Sequence, residues 1–327
     1  MTQQPARSTA LVIGERVAPG GFADHAEMRL PTSTAALVRR YLSCIRYRDI
    51  LVLQGSPLLG AAFAMGPVRA DRLGALLVFA IASVLLVAHV FALNDWAGVD
   101  DDLNDANKAA EVFATKGISR NAMRWLWVAF LALSLALFSV LAARLLVMAI
   151  GIAIVSLSYS QPRSPAKGIP VLGTILHLGG GILHFLLGFS LFRTIDERGV
   201  TLALFFGLAF AAGHLNQEVR DFEGDVRNGI KTNAVTFGKA RTFIAGLIVF
   251  TFAYAHLVVL AAIGIIPRCL AGLALLYLLH LYWSLKMVAA GLSFESVRRF
   301  QARYRAIYAA IGAAMIAALL ISSGSLG

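Results

Sequence analysis

The sequence predicts an all-α protein, a polytopic membrane bundle of about nine transmembrane helices around a central cavity. Of its 327 residues, 58% are hydrophobic and only 14% are charged, and the mean hydropathy is +0.74. A chain this apolar has too little polar surface to cover a soluble globule. Its apolar runs are long and continuous rather than alternating, which favours membrane helices over a β-barrel.

Nine hydrophobic segments follow one another along the chain, each close to the roughly 20 residues that span a bilayer. The weakest boundaries are those of the eighth segment and the gap after the third, where only Ala142–Arg144 intervene. No shift in composition marks a second domain, so residues 36–327 are interpreted as one membrane domain. The nine segments cover residues 50–66, 73–93, 123–142, 145–160, 169–192, 200–216, 242–265, 269–290 and 304–322.

The N-terminal part differs from the rest of the chain. Residues 1–35 mix small and polar residues with three prolines, which predicts a partly disordered cytoplasmic tail. Residues 35–48 combine apolar positions with four arginines, a pattern that fits an amphipathic helix lying on the membrane surface.

The distribution of positive charge predicts the orientation. With nine spans, 23 of the 29 lysines and arginines fall on the side of the N-terminus. The positive-inside rule then places the N-terminus and both acidic stretches in the cytoplasm, and we expect a multi-pass protein of a cell inner membrane. The net charge of +11 does not indicate nucleic acid, because the basic residues flank the spans and form no aromatic-interleaved patch.

The most unusual stretch of the chain runs from Asn216 to Thr232 and reads NQEVRDFEGDVRNGIKT. Asp221 and Asp225 continue a stripe begun by His214 and Glu218, since steps of four, three and four residues stay on one helix face. Carboxylates in this arrangement suit Mg²⁺, which completes its shell with water and substrate phosphates. For an isolated pair of aspartates, a solvated loop with internal salt bridges is the simpler interpretation. Basic residues that would meet phosphate charge flank the stripe: Arg220, Arg227 and Lys231.

A second acidic stretch, NDWAGVDDDLND, directly follows an apolar span. Asn94 and Asp102 are eight residues apart, two helical turns on one face, with Gly98 midway. Five acidic side chains this close repel one another unless a cation is present, so we expect a bound cation to stabilise them. We interpret the two acidic stretches as facing each other across the cavity.

Two further groups are ambiguous from sequence alone. The loop Tyr159–Lys167 supplies hydroxyls and two cations on the same side of the membrane, but it equally fits a proline-stiffened turn. His177 and His184 lie seven residues apart on the fifth span, where buried imidazoles at a close helix contact are the favoured interpretation over residues facing the cavity.

Together these motifs resemble the UbiA superfamily of intramembrane prenyltransferases. The resemblance rests on Asn94-Asp95 with Asp102, on Tyr159-Ser160 with Lys167, and above all on the run from Arg220 to Gly238. The acidic motifs occur in the family's order, after the second and sixth spans, and the resemblance covers roughly residues 40–322. The first motif departs from the family's NDxxDxxxD because Gly98 replaces the middle aspartate.

The resemblance implies that both motifs hold Mg²⁺ and that the cavity binds a polyprenyl diphosphate. The implied activity is transfer of the polyprenyl group to a small acceptor, an aromatic compound or quinone precursor, within the membrane. By position, the implied metal-site residues are Asn94, Asp95, Asp102, Asp221 and Asp225, of which Asp102, Asp221 and Asp225 are the implied catalytic residues. The implied diphosphate contacts are Lys116, Tyr159, Lys167, Arg220 and Lys231.

Gly98 leaves three outcomes open. Asp95 or Asp101 takes over the missing ligand, one metal is held weakly, or this member has changed its substrate or activity. An ion-coupled transporter is a competing class, since intramembrane carboxylates mark ion routes in carriers. Against it, the acidic groups sit at one membrane face and no inverted repeat is evident. A family member that binds a prenyl lipid without turnover is the other alternative.

Overall fold

We analysed a computed structural model, which describes residues 34–66, 69–161 and 166–324. The predicted tail falls almost entirely outside the described residues. Within them every regular element is helical, and the α-helices are Thr34–Leu42 (α1), Tyr47–Leu53 (α2), Gly55–Met65 (α3), Ala70–Ala97 (α4), Val99–Leu103 (α5), Arg120–Leu141 (α6), Ala143–Ser160 (α7), Leu172–Phe189 (α8), Glu197–Arg227 (α9), Asn233–Phe237 (α10), Lys239–Ala262 (α11), Leu276–Ala289 (α12) and Phe294–Gly324 (α13).

The predicted membrane bundle is confirmed. Among the described residues, eight helices are long and apolar enough to cross a bilayer, and they correspond to the second to ninth predicted spans. Seven of them are α4, α6, α7, α8, α9, α11 and α13, and the eighth joins the 3₁₀ turn Arg268–Leu275 to α12. The predicted boundary between the third and fourth segments is also confirmed. Ala142 has an extended backbone (φ −171°, ψ 144°) and separates α6 from α7.

The first predicted span is not one helix. Residues 50–66 fall on α2 and α3, which are 7 and 11 residues long and meet at Gln54. Pro57 explains the break, because it has no N–H to donate and its ring crowds the carbonyl of Leu53, four residues back. Leu53 is the last residue of α2.

Helix α8 packs against α3, α7 and α9. Small residues let its neighbours approach closely, as they do in other membrane bundles. A Cβ on Gly188 would overlap the carbonyl of Pro57 in α3, and one on Gly60 would overlap the carbonyl of Phe185 in α8. On the α9 side, a Cβ on Gly181 would lie 2.9 Å from the Cα of Gly207.

Helix α9 is 31 residues long and carries the second acidic stretch as a direct continuation of its membrane-spanning part. It begins at the cap residue Asp196, whose side chain accepts a hydrogen bond from the Gly199 N–H (2.8 Å). It ends in a Schellman turn, in which the Ile230 N–H bonds the Asp225 carbonyl (2.9 Å). Gly229 has φ +68° at the left-handed position of this turn, a conformation that favours glycine. The helical stripe predicted for this stretch is therefore present.

Candidate active site

The two acidic stretches converge on one cation, the ammonium group of Lys108. Its Nζ lies 3.1 Å from Asp221 Oδ2 on α9 and 3.4 Å from Asp102 Oδ1 on α5. Asp105 Oδ2 is a third carboxylate oxygen at 4.0 Å. Aspartates more than 110 residues apart in sequence therefore share one positive charge. The two stretches face each other as predicted, but their shared contact with a lysine was not predicted.

Hydrogen bonds between the two stretches fix this arrangement. Asn228, just after α9, donates from Nδ2 to the Asp101 carbonyl (2.8 Å). Arg227 donates from Nη1 to the Asn104 carbonyl (2.6 Å). Gly224 provides the clearance, because a Cβ there would lie 2.5 Å from the Asp105 carboxylate. The motif glycine thus lets the first acidic loop pack directly on the second acidic helix.

The carboxylate of Asp221 is oriented by its neighbour in sequence. Arg220 donates to both oxygens, from Nε to Oδ1 (2.6 Å) and from Nη2 to Oδ2 (2.9 Å). The remaining guanidinium nitrogen, Nη1, donates to Gln301 Oε1 on α13 (2.9 Å). Such a two-pronged pair fixes geometry better than a single contact does. Helix α13 therefore helps to hold the acidic stripe in position.

Asp225 and Asn94 extend the site toward the loop between α7 and α8. Asp225 is buried and lies 3.8 Å from Lys167 Nζ, in the 3₁₀ turn Ala166–Gly168. Asn94 Oδ1 accepts a hydrogen bond from Ser160 Oγ, at the end of α7 (3.5 Å). The loop that was uninformative in sequence thus contributes a cation and a hydroxyl next to the acidic residues.

Lys108 keeps its positive charge in this setting. Burial favours the neutral amine, but the carboxylates of Asp221 and Asp102 outweigh it and raise the pKa of Lys108 above its ordinary value. The ammonium thus offsets the repulsion between aspartates of the two stretches.

At Gly98 the helical register is preserved, although glycine itself supplies no carboxylate. The Gly98 N–H bonds the Asn94 carbonyl (2.9 Å) and the Asp102 N–H bonds the Gly98 carbonyl (2.9 Å). Asn94 and Asp102 therefore share one face, as predicted. A Cβ on Gly98 would lie 4.0 Å from Asp102 Oδ2, so a longer side chain there would reach the site.

Several predicted site residues lie outside the Lys108 cluster. Asp95 pairs with Arg46, between α1 and α2. Lys116 donates to the Ser43 carbonyl (2.8 Å), and Lys231 is exposed on the loop after α9. Tyr159 packs its ring edge on His177, with centroids 5.0 Å apart. The roles assigned to these four residues stay predictions. Because Arg46 already pairs with the Asp95 carboxylate, Asp95 is a weaker substitute for the aspartate that Gly98 replaces.

Sequence reasoning missed Lys108, Gln301 and Asn233. Lys108 was counted only as a charge that sets topology, although its position three residues after Asp105 places it on the adjoining turn. Gln301 lies 81 residues from its partner Arg220, and no local pattern signals such a contact. Asn233 follows the motif threonine, and no pattern in the sequence singles it out.

Asn233 ties three elements together beneath the site. Its backbone N–H and its Nδ2 donate to the two oxygens of Glu218 on α9 (3.0 and 3.1 Å). Its Oδ1 accepts from the Val171 N–H, just before α8 (2.8 Å), and Nδ2 also lies 3.2 Å from Thr174 Oγ1. Both oxygens of the buried Glu218 carboxylate thereby accept a hydrogen bond, which offsets part of the cost of burying it.

Asn233→Ala should therefore destabilise the protein by about 2–4 kcal/mol, because a buried carboxylate and a backbone N–H lose partners. Thermal unfolding in detergent would measure the loss. Asn121→Ala is the matched control, since Asn121 is exposed and, among the residues that the structure describes, its side chain accepts only from Arg124 (2.8 Å). Equal unfolding temperatures for the two variants would contradict the role given to Asn233.

The side chains present fit Mg²⁺ in their chemistry. The converging donors are carboxylate oxygens, which Mg²⁺ prefers, and it commonly takes one or two carboxylates with water and phosphate oxygens. In the part of the chain that the structure describes, no three histidine, cysteine or acidic side chains are close enough to form a complete metal centre by themselves. Ligands from water or substrate would have to complete the shell.

Fold and site together define a class: a polytopic helical membrane protein with two acidic motifs and several cations gathered at one end of the bundle. The model of the UbiA prenyltransferase family matches residues 55–302. The chain belongs to this family of integral membrane prenyltransferases. No curated protein matches the sequence at a significant level.

Solved structures of family members share the fold. A UbiA homolog from Archaeoglobus fulgidus bound to GPP and Mg²⁺ is 20% identical, with a TM-score of 0.65 over 85% of this chain and 99% of that one. A structure of digeranylgeranylglyceryl phosphate synthase is 16% identical, with a TM-score of 0.65 over 86% and 98%. The apo UbiA homolog from Aeropyrum pernix K1 is 19% identical, with a TM-score of 0.60 over 84% and 98%.

Proposed function

We propose that this protein transfers a polyprenyl group from a polyprenyl diphosphate to a small acceptor, an aromatic ring or quinone precursor, inside the membrane. The observation that carries the proposal is the convergence of Asp102 and Asp221 on Lys108, which joins the two acidic motifs in one charged site. The Archaeoglobus fulgidus homolog has been solved with GPP and with DMAPP, each with Mg²⁺, which supports the same class of donor here.

The chemistry explains why this combination of side chains is useful. Breaking the C–O bond of an allylic diphosphate leaves negative charge on the leaving group and positive charge on the allylic carbon. When bound, Mg²⁺ would supply Lewis-acid stabilisation of the leaving diphosphate. Asp102, Asp221 and Asp225 would hold it, and Lys108, Lys167 and Arg220 would meet the remaining phosphate charge.

The membrane location suits both reaction partners. A polyprenyl tail is itself lipid, so a site open to the bilayer receives the donor without exposing the tail to water. An apolar surrounding protects the carbocation from water. From the bias of lysine and arginine we further propose that the N-terminus and the site face the cytoplasm, in a cell inner membrane.

The direct experiment is mass spectrometry of products formed by the purified protein from an isotope-labelled prenyl diphosphate and a panel of acceptors. We expect a labelled prenylated product that forms only with Mg²⁺ present. Label recovered solely as intact donor, across the acceptor panel and several chain lengths, would contradict the proposal.

Restoring the family aspartate should strengthen metal binding. In Gly98→Asp the new Cβ would lie 4.0 Å from Asp102 Oδ2, so the added carboxylate would enter the same site. We expect Mg²⁺ affinity to rise about 3- to 10-fold. Without metal the added repulsion should lower thermal stability. Gly98→Asn, with the same shape and no charge, is the control. The Mg²⁺-induced shift in unfolding temperature measures the effect, and equal shifts in both variants would contradict it.

A further inference from the structure

Beneath the acidic stripe, two imidazoles are stacked face to face. The rings of His177 on α8 and His214 on α9 are 3.8 Å apart between centroids and inclined by 9°. Tyr159 on α7 presents its edge to both, at 5.0 and 6.0 Å. The favoured sequence interpretation, separate buried imidazoles, did not anticipate a stacked pair contributed by two helices.

The proton position on His177 follows from its partner. Its Nδ1 lies 2.8 Å from the Gly173 carbonyl oxygen. A carbonyl oxygen can only accept, so Nδ1 carries the hydrogen and Nε2 is left with a free lone pair. The ring makes no other hydrogen bond among the described residues, and the side chain is half-buried rather than sealed in the core.

His214 connects the pair to the carboxylate of Glu218. It is buried, and its Nε2 lies 3.0 Å from Glu218 Oε1. In the described part of the chain, neither of its ring nitrogens has a partner that meets the geometry of a hydrogen bond. Glu218 is itself fixed by the two donors of Asn233. Gly173 leaves room for the stack, because a Cβ there would lie 2.9 Å from His214 Nε2. A proton taken up by the pair would be stabilised by the Glu218 carboxylate.

The pair lies on the membrane side of the acidic residues. His214 precedes Asp221 by seven residues on the same stripe of α9, which is roughly 10 Å along the helix at 1.5 Å per residue. If a diphosphate is held at the acidic residues, its prenyl tail would run from the Lys108 cluster into the apolar part of the bundle, the side on which the pair lies. The acceptor must meet the first prenyl carbon in the same region.

From this geometry we infer that His177 is the catalytic base that takes the proton lost by the acceptor, an inference that rests on the proposed function. The C–O bond of the donor breaks and its electron pair leaves with the diphosphate. A new bond forms between the prenyl carbon and an aromatic carbon or hydroxyl oxygen of the acceptor. The proton on that atom goes to Nε2 of His177 and then to water, while His214 and Glu218 act as positioning residues. The proposed aromatic acceptor must therefore carry a removable proton at the attacked atom.

His177→Asn is the sharpest test. The asparagine Nδ2 can keep donating to the Gly173 carbonyl, but the side chain has no basic nitrogen. We expect transfer to the acceptor to fall about 10²- to 10⁴-fold, the usual contribution of a general base. Binding of a non-reactive prenyl diphosphate analogue should stay unchanged, and slow hydrolysis of the donor to prenyl alcohol should persist, so the product ratio shifts toward the alcohol.

His184→Asn is the matched control, because His184 is a buried histidine seven residues further along the same helix and its Nε2 has no partner in the described residues. We expect its ratio of transfer to hydrolysis to equal that of the unmodified protein. A second substitution, His177→Gln, should reproduce the loss seen with His177→Asn.

Two outcomes would overturn the inference. One is a His177→Asn protein that transfers at the original rate with the original product ratio. The other is parallel loss of analogue binding, hydrolysis and transfer in both His177 variants, which would make the residue structural. Failure of the proposed function looks different, because the unmodified protein would then form no prenylated product at all.

Discussion

Replacing Asp225 by asparagine should abolish prenyl transfer while leaving the protein folded in the membrane. Asp225 is buried at the end of the acidic stripe, and its closest charged partner is Lys167, at 3.8 Å. Asparagine keeps its shape but removes the charge that would hold Mg²⁺ and position the diphosphate. We expect at least a roughly 10³-fold loss of rate, the scale on which electrostatic groups of active sites act. Product formation by mass spectrometry and the unfolding temperature are both measured.

Glu223→Gln provides the control for Asp225→Asn. Glu223 lies two residues away on the same helix, but it is exposed and pairs with Lys239 (2.7 Å) on the surface. Its loss should change the rate by no more than about 2-fold, as for most surface substitutions. A purified Asp225→Asn protein that transfers at the original rate would refute the assignment of the acidic stripe.

Gly188→Ala should have the largest effect on folding. The added methyl group would overlap the Pro57 carbonyl in α3, and backbone cannot move aside as a flexible side chain can. Overpacking costs about 1–3 kcal/mol and sometimes more; here we expect about 3 kcal/mol or more, because α3 and α8 must separate. Size-exclusion chromatography and thermal unfolding, after extraction in mild detergent, would measure the loss of folding stability.

Gly180→Ala tests whether the effect of Gly188→Ala comes from the helix contact. Gly180 lies on the same helix, and a Cβ there would meet nothing within 4 Å. This substitution should be neutral or stabilising, since alanine favours helix more than glycine does. If both alanine variants unfold at the same temperature, close packing of α3 on α8 is not what stabilises this part of the bundle.

Much of the architecture could be predicted because it depends on local properties. Eight spans follow from continuous apolar runs of sufficient length, and the helical stripe on α9 follows from spacing alone. The prediction of one continuous helix for the first span was wrong, because average hydrophobicity hides the effect of one proline. Pro57 ends α2 at Leu53 without making the segment less apolar.

The site was only partly predictable, because many of its charged pairs join residues that are far apart in the sequence. Spacing could place Asn94 and Asp102 on one face, and it could align Asp221 with Asp225. It could not show that Lys108 stands between the two stretches, or that Asp95 is already paired with Arg46. Such contacts depend on how loops fold back, and a single lysine or arginine carries no periodic signal.

The stacked histidines illustrate the same limit. The sequence shows His177 and His184 seven residues apart on one helix, where buried imidazoles were the favoured interpretation. The structure instead pairs His177 with His214 of the neighbouring helix. The depth at which two helices cross is set by small residues such as Gly181 and Gly207, and it decides which side chains meet.

The central claim is that both acidic motifs form one Mg²⁺-dependent diphosphate site. Calorimetric titration of the purified protein with a non-hydrolysable prenyl diphosphate analogue, with and without Mg²⁺, tests it most directly. We expect saturable binding only with Mg²⁺, and its loss in Asp102→Asn and in Asp221→Asn tested singly, since each motif supplies one side of the site. Equal binding without Mg²⁺, or unchanged binding in either variant, would contradict it.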